Sequence, residues 1–144
     1  MSGSRRAGEV GLHYLTTSAR LRRLVDEHMA RSGVSLARTK ILQVLAGSGP
    51  ITQARLAAEL SLAARSITQA VEAMERDGLV RRELDGTDRR AKVVTVTEAG
   101  ARALADGDAA VDEILRRVFR GLEADELERL DALLAVVDAT AESS

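Results

Sequence analysis

Cysteine is missing from all 144 residues. That excludes disulfides, thiolate metal ligands and a thiol peroxide sensor together. Tryptophan is also missing, and tyrosine and phenylalanine occur once each. The core must therefore be assembled from Leu, Val, Ile and Ala, side chains that suit closely packed helices. A single proline leaves long stretches free to be helical. No run approaches the roughly 20 apolar residues that cross a bilayer, and no signal peptide precedes the first periodic segment, so we expect a cytoplasmic protein without a membrane partner. The constellations of an enzyme are missing as well: no nucleophile with a His and an acid, no phosphate-binding glycine loop, no metal cluster. Paired acids such as Asp112 and Glu113 read as a solvated helical face. His13 and His28 stand fifteen residues apart with no cysteine to join them. We expect no catalytic residue, metal ligand or cofactor.

The charge is present but unevenly shared. The net value of −1 argues superficially against nucleic acid. Residues 1–95, however, hold 16 Lys and Arg against 10 Asp and Glu, a net of +6, whereas residues 96–144 hold 5 against 12, a net of −7. A basic N-terminal two-thirds joined to an acidic end is the footprint to look for when the whole-chain figure is uninformative. It also keeps the acidic C-terminal helices away from phosphates.

Residues 61–97 organise the chain. From Ala63 to Asp77 the apolar residues Ile67, Ala70, Val71 and Met74 recur at i, i+3, i+4 and i+7, one stripe of a helix. Gly78 follows, as expected just past a helix end. Two runs rich in Val and Leu, 79–84 and 91–97, then read as strands, and the loop Asp85-Gly86-Thr87-Asp88-Arg89-Arg90 between them is turn chemistry with two arginines at its tip. A helix followed at once by a basic-tipped hairpin is a winged helix. Off the apolar stripe lie Arg65, Ser66, Thr68, Gln69 and Glu72. Short polar groups with an Arg and a Gln suit a major groove roughly 12 Å wide, Arg reading guanine and Gln adenine. The bland account is an amphipathic helix with a solvated polar face. The wing tips the balance, since arginines on a hairpin tip suit a narrow minor groove of negative potential.

The runs R-S-I-T-Q-A-V-E-A-M-E-R-D-G-L-V-R-R and D-R-R-A-K-V-V-T-V-T-E-A-G resemble the MarR family of bacterial transcriptional regulators. The likeness extends over nearly the whole chain, and the D-x-R wing followed by the T-E-A-G helix start discriminates best. It implies that the helix over 63–77 reads the major groove, that Arg90 reaches the minor groove and that Asp88 orients it. It also implies a homodimer, most often a repressor, with a small anionic or aromatic effector between the dimer helices and the winged helix. Two positions depart from the family pattern. Ala63 and Ala64 stand where relatives carry a polar cap and a polar contact residue, and Val96 replaces a leucine.

Around this core the chain reads as one domain, 1–144, mainly α with a small β-hairpin wing. Residues 1–8 read as a disordered basic arm, with Arg5 and Arg6 in a solvated tail rather than in contact with DNA. A long helix over 9–31 has apolar residues around a wide arc, including Val10, Tyr14, Leu24 and Val25 on one face and Leu12 and Leu15 on another. Ser35 caps a helix over 36–46 with Ile41, Leu42 and Leu45 inward, and Ile51 is placed to pair with the wing as a third strand. Thr52 caps the short helix that forms a helix-turn-helix with 63–77, joined by Ser61 and Leu62. Thr97 caps a helix over 98–119, where Gly107 either admits a neighbouring helix or permits a bend, and the last helix covers 124–141. The winged core is thus 33–97, and 9–31 with 98–141 are dimerisation helices, because their apolar seams exceed what one small domain can bury.

The partner expected is double-stranded DNA with a pseudo-palindromic operator. Arg65 and Gln69 are the candidate base readers, with Ser66 and Thr68 beside them on the same helix face, and Gln53, Arg55 and Arg82 the candidate backbone contacts; Asp88, Arg89, Arg90 and Lys92 are further DNA-binding candidates. Candidate effector-lining residues, by position, are His13, Tyr14, Thr17, Arg20, Arg38 and Ile41. The rival from another class is a winged-helix scaffold for protein interaction, which has no reason to keep Arg65, Gln69 and Arg90 together.

Overall fold

The computed structural model describes residues 2–84 and 92–144. Among these residues there are six helices and three strands: α1 (Ser2–Ser32), α2 (Leu36–Ser48), β1 (Ile51–Thr52), α3 (Gln53–Leu60), α4 (Ala64–Arg76), β2 (Val80–Leu84), β3 (Lys92–Val96), α5 (Glu98–Phe119) and α6 (Ala124–Glu142). Three starts are set by hydroxyl caps. Ser35 Oγ accepts from the Arg38 amide at 3.1 Å, Thr52 Oγ1 from Arg55 at 3.2 Å and Thr97 Oγ1 from Gly100 at 3.0 Å. α6 opens on a reciprocal capping box between Glu123 and Glu126. α4 is the exception: Ala63 at its N-cap offers no side-chain bond, as its methyl group requires.

Three helices end alike. Leu62, Leu79 and Val34 each donate an amide to the carbonyl five residues back, at 3.0, 2.9 and 3.2 Å, behind a residue of positive φ. That residue is Gly78 after α4 and Gly33 after α1. After α3 it is Ser61 (φ 53°), which bears the cost of roughly 1 kcal/mol that a side chain meets there. The gain is a three-residue turn, Ser61 to Ala63, between α3 and α4.

The strands form one antiparallel sheet in the order β1-β3-β2, with Ile51 opposite Val94 and Val80 opposite Val96. Ile51 does supply the third strand. Leu42, Leu56, Ile67, Val71, Met74, Val80 and Val94 are fully buried between the sheet and α2 to α4. The stripe Ile67, Val71 and Met74 therefore faces the core and leaves the opposite face of α4 to solvent.

A second cluster joins α1 to α5 through Val25, Met29, Ala110 and Ile114. α5 also meets α2, where a Cβ at Gly107 would collide with the side chain of buried Thr39. Gly107 is thus the site of close helix approach. Thr39 Oγ1 donates to Ser35 O at 2.9 Å, and Gln43 Nε2 donates to Asp108 Oδ1 at 2.7 Å beside it.

One expected boundary is wrong. α1 starts at Ser2, so residues 2–8 belong to the helix and are no disordered arm. Arg5, Arg6 and Ala7 are good helix formers, and lengthening an existing helix avoids the cost of nucleation. Along α1 from Arg6 onward only Val25, His28 and Met29 are buried, and α6 buries none of its residues in the single chain. Val10, Leu12, Leu15, Leu127, Leu133, Val136 and Val137 are all exposed. The apolar surplus read from the sequence is present on the surface.

Candidate nucleic-acid interface

The exposed face of α4 carries Arg65, Ser66, Gln69 and Glu72, with Thr68 half-buried at its edge. Their positions follow from the helical period: with Ile67, Val71 and Met74 inward, these residues can only point out. α3 crosses behind α4, with exposed Arg55 and half-buried Gln53 in its first turn. Arg55 lies 3.8 Å from Glu59 in an exposed i,i+4 pair, one that water leaves weak. Lys92 is exposed where β3 begins. Asp88, Arg89 and Arg90 lie outside the described residues.

A polar network runs beneath this face. Gln53 Nε2 donates to Thr68 Oγ1 at 3.1 Å, and Thr68 Oγ1 donates in turn to Ala64 O at 3.0 Å. Arg82 Nη1 stands 3.5 Å from Gln53 Oε1. The rest of the Arg82 fork grips Glu75: Nε and Nη2 reach Oε1 at 3.2 and 2.9 Å, and the Arg82 amide donates to Oε2 at 3.0 Å. Hydrogen bonds from the Arg82 side chain and amide hold the Glu75 carboxyl below its ordinary range, and the same pair raises Arg82 above its own. A depressed carboxyl contributes stability that is present above its unfolded pKa and fades as pH falls through the folded one.

This geometry revises the role expected for Arg82. Its side chain is 20% exposed and committed to Glu75, so it is no free phosphate contact in the unbound chain. In the sequence alone Glu75 reads as a solvated helix charge. Strand alternation held the signal, because Arg82 shares the inward side of β2 with Val80.

A family model described as MarR family matches residues 32–91, the stretch that holds the helix-turn-helix and β2. The fold agrees over most of the chain. A probable transcriptional regulator from Pseudomonas aeruginosa is 29% identical, with a TM-score of 0.77 over 89% of this chain and 96% of that one. Over these residues the chain resembles the MarR family. Its winged-helix fold is shared by a mutant Escherichia coli MarR complexed with operator DNA, 24% identical, with a TM-score of 0.79 over 90% of this chain and 93% of that one. CouR from Rhodococcus jostii, in complex with p-coumaroyl-CoA, is 25% identical, with a TM-score of 0.74 over 91% and 92% of the two chains.

In this chain the six expected effector residues do not converge. Ile41 belongs to the winged-helix core, 2% exposed, because it shares its inward face with Leu42 and Leu45. Tyr14 borders a cavity of about 490 Å³ against α6, lined also by Asp131, Leu134 and Val137. Arg38 borders a different cavity, about 570 Å³, with Val34, Asp77, Leu79, Ala103 and Asp106. There Arg38 Nη1 pairs with Asp77 Oδ2 at 2.7 Å. His13 and Arg20 are exposed and Thr17 is half-buried on α1, and none of the three lines either cavity. The histidines are also apart in character: His28 is buried 3.6 Å from Glu113, whereas His13 is exposed. No helix among the described residues is long and apolar enough to cross a membrane.

Proposed function

We propose that this protein is a dimeric, sequence-specific transcriptional repressor that binds a pseudo-palindromic operator through α4 of each copy. The observation that carries the reading is the division of α4. Ile67, Val71 and Met74 anchor one side in the core, and Arg65, Ser66 and Gln69 stand exposed on the other. A rigid helix presenting donors and acceptors to a groove is what direct base readout requires. The complex of E. coli MarR with operator DNA supports the same use of the fold. Arg65 and Gln69 specify sequence, Gln53, Arg55 and Lys92 hold the backbone, and Arg89 and Arg90 extend the basic surface into the wing.

Gln69→Ala tests the assignment. The variant should lose about 1–3 kcal/mol on the preferred duplex and relax the choice at one base pair. Fluorescence anisotropy with preferred and scrambled duplexes decides the matter. Equal weakening on both would make Gln69 a backbone contact and remove α4 as the reading element.

The wing supplies a test that turns on sign. Asp88→Ala removes a negative charge near DNA, so long-range electrostatics alone tightens binding. If Asp88 instead orients the Arg90 guanidinium by a charge-assisted hydrogen bond, the variant binds more weakly despite its better net charge. We expect weaker binding in a titration at fixed salt. Arg90→Lys should also lose affinity, most on A·T-rich flanks, because an ammonium is more strongly hydrated than a guanidinium and enters a narrow groove at greater cost.

The reading includes a small anionic or aromatic effector. Its support in this chain is the cavity beside Arg38, since Arg38 is paired with Asp77, the C-cap of α4. An anion that takes Arg38 from Asp77 acts directly on the end of the recognition helix.

A further inference from the structure

We infer that Glu75 is a positioning residue for DNA recognition: it fixes Arg82, and through Arg82 it sets which end of the Gln53 amide faces outward. The inference rests on the DNA-binding reading above. Glu75 occupies the last turn of α4, where the partial negative charge of unpaired carbonyls disfavours a carboxylate. Its location makes sense only with the cation it holds. Three donors from a single residue, Arg82, converge on its two oxygens at 2.9–3.2 Å. One of them is a backbone amide of β2, so the carboxylate fixes both the strand and the guanidinium. Glu72 Oε1, 3.9 Å from Nη1, adds a weaker pull on the same group.

The remaining arm of the fork points at Gln53 Oε1, 3.5 Å away. This contact is at the outer limit of a hydrogen bond, yet it selects the amide orientation, because a guanidinium only donates and attracts the oxygen. With Oε1 turned toward Arg82, Gln53 presents Nε2 on the other side. One of its hydrogens goes to Thr68 Oγ1, whose own hydrogen is spent on Ala64 O. The second Nε2 hydrogen has no partner among the described residues. Phosphate oxygens accept and never donate, so only this orientation lets Gln53 bind the backbone. A flipped amide would offer an acceptor to an acceptor.

The decisive variant is Glu75→Gln, close in shape but neutral. It removes a negative charge from the DNA-binding unit and frees the Arg82 cation, so bulk electrostatics predicts tighter binding and a steeper salt dependence. Positioning predicts the opposite sign: about tenfold weaker binding, the scale of one lost hydrogen bond, without a steeper salt slope. A cycle with Gln53→Ala isolates the route. The double variant should bind no more weakly than Gln53→Ala alone, whereas a general loss of structure would add to it. Additivity, or tighter binding by Glu75→Gln, overturns the inference. Arg82→Lys guards against a variant that fails to fold: it keeps the charge but lacks the arm toward Gln53, and should bind about tenfold more weakly. Wild-type affinity there would equally overturn the inference. All titrations use a duplex that the wild type prefers over a scrambled one. A wild type without such a preference refutes the DNA-binding reading itself, and the role of Glu75 with it; a wild type that discriminates while Glu75→Gln binds as well as it does refutes the role of Glu75 alone.

Discussion

Gly100→Ala is expected to destabilise the fold by about 2–4 kcal/mol, although alanine is the better helix former by roughly 0.5–1 kcal/mol. Gly100 lies in the first turn of α5, and a Cβ there would collide with the backbone carbonyl of Leu79 and come within 2.9 Å of Val96 Cγ1. A carbonyl cannot rotate away as a side chain does. This one is also engaged, accepting the Thr97 amide at 3.1 Å, while Thr97 Oγ1 donates to Gly78 O at 2.6 Å. The junction of α4, β2, β3 and α5 therefore closes around a missing methyl group. Gly11→Ala is the control, because nothing lies within 4 Å of a Cβ at that helical position. Urea unfolding should move the midpoint down for Gly100→Ala and slightly up for Gly11→Ala. A rise in both would mean that α5 does not pack on Leu79 as described.

The largest functional loss is expected from Leu133→Glu combined with Val137→Glu. Both side chains are 60% exposed on the same face of α6, which buries nothing within its own chain. Neither contributes to the two cores, so folding should be unaffected. Placing two carboxylates on a face that we propose to be buried between copies should yield monomers. Binding to a two-site operator should then fall by at least about a hundredfold, because the second half-site no longer benefits from a tethered partner. Light scattering and anisotropy on the same samples check both halves. A monomeric wild type with full affinity, or a double variant that remains dimeric, contradicts the assignment of this face.

Much of this fold is legible in the sequence because its signals are local. The Ile67, Val71 and Met74 period gives the orientation of α4, and with it Arg65 and Gln69, before any coordinates. Thr52 and Thr97 mark helix starts by side-chain chemistry that involves only the next three residues. The misses share a different cause. Glu75 and Arg82 meet across the Gly78 turn, and either residue alone reads as a solvated charge. Position along single helices marks the effector candidates, but a cavity depends on how helices cross. Ile41 shows the conflict, since the period that places it with Leu42 and Leu45 in the core leaves no side chain for a pocket. The start of α1 is hidden in the sequence because a short polar, basic run resembles a tail until the helix behind it supplies the nucleus.

Selection from a random duplex pool tests most directly whether two copies of α4 read a specific duplex. Enrichment of a pseudo-palindrome is expected, with half-sites about one helical turn, roughly 10 bp, apart centre to centre. Gln69→Ala should enrich the same spacing with one base pair in each half-site relaxed. A pool that stays random after repeated rounds, while the protein remains folded, would contradict the claim and leave the winged helix without a sequence to read.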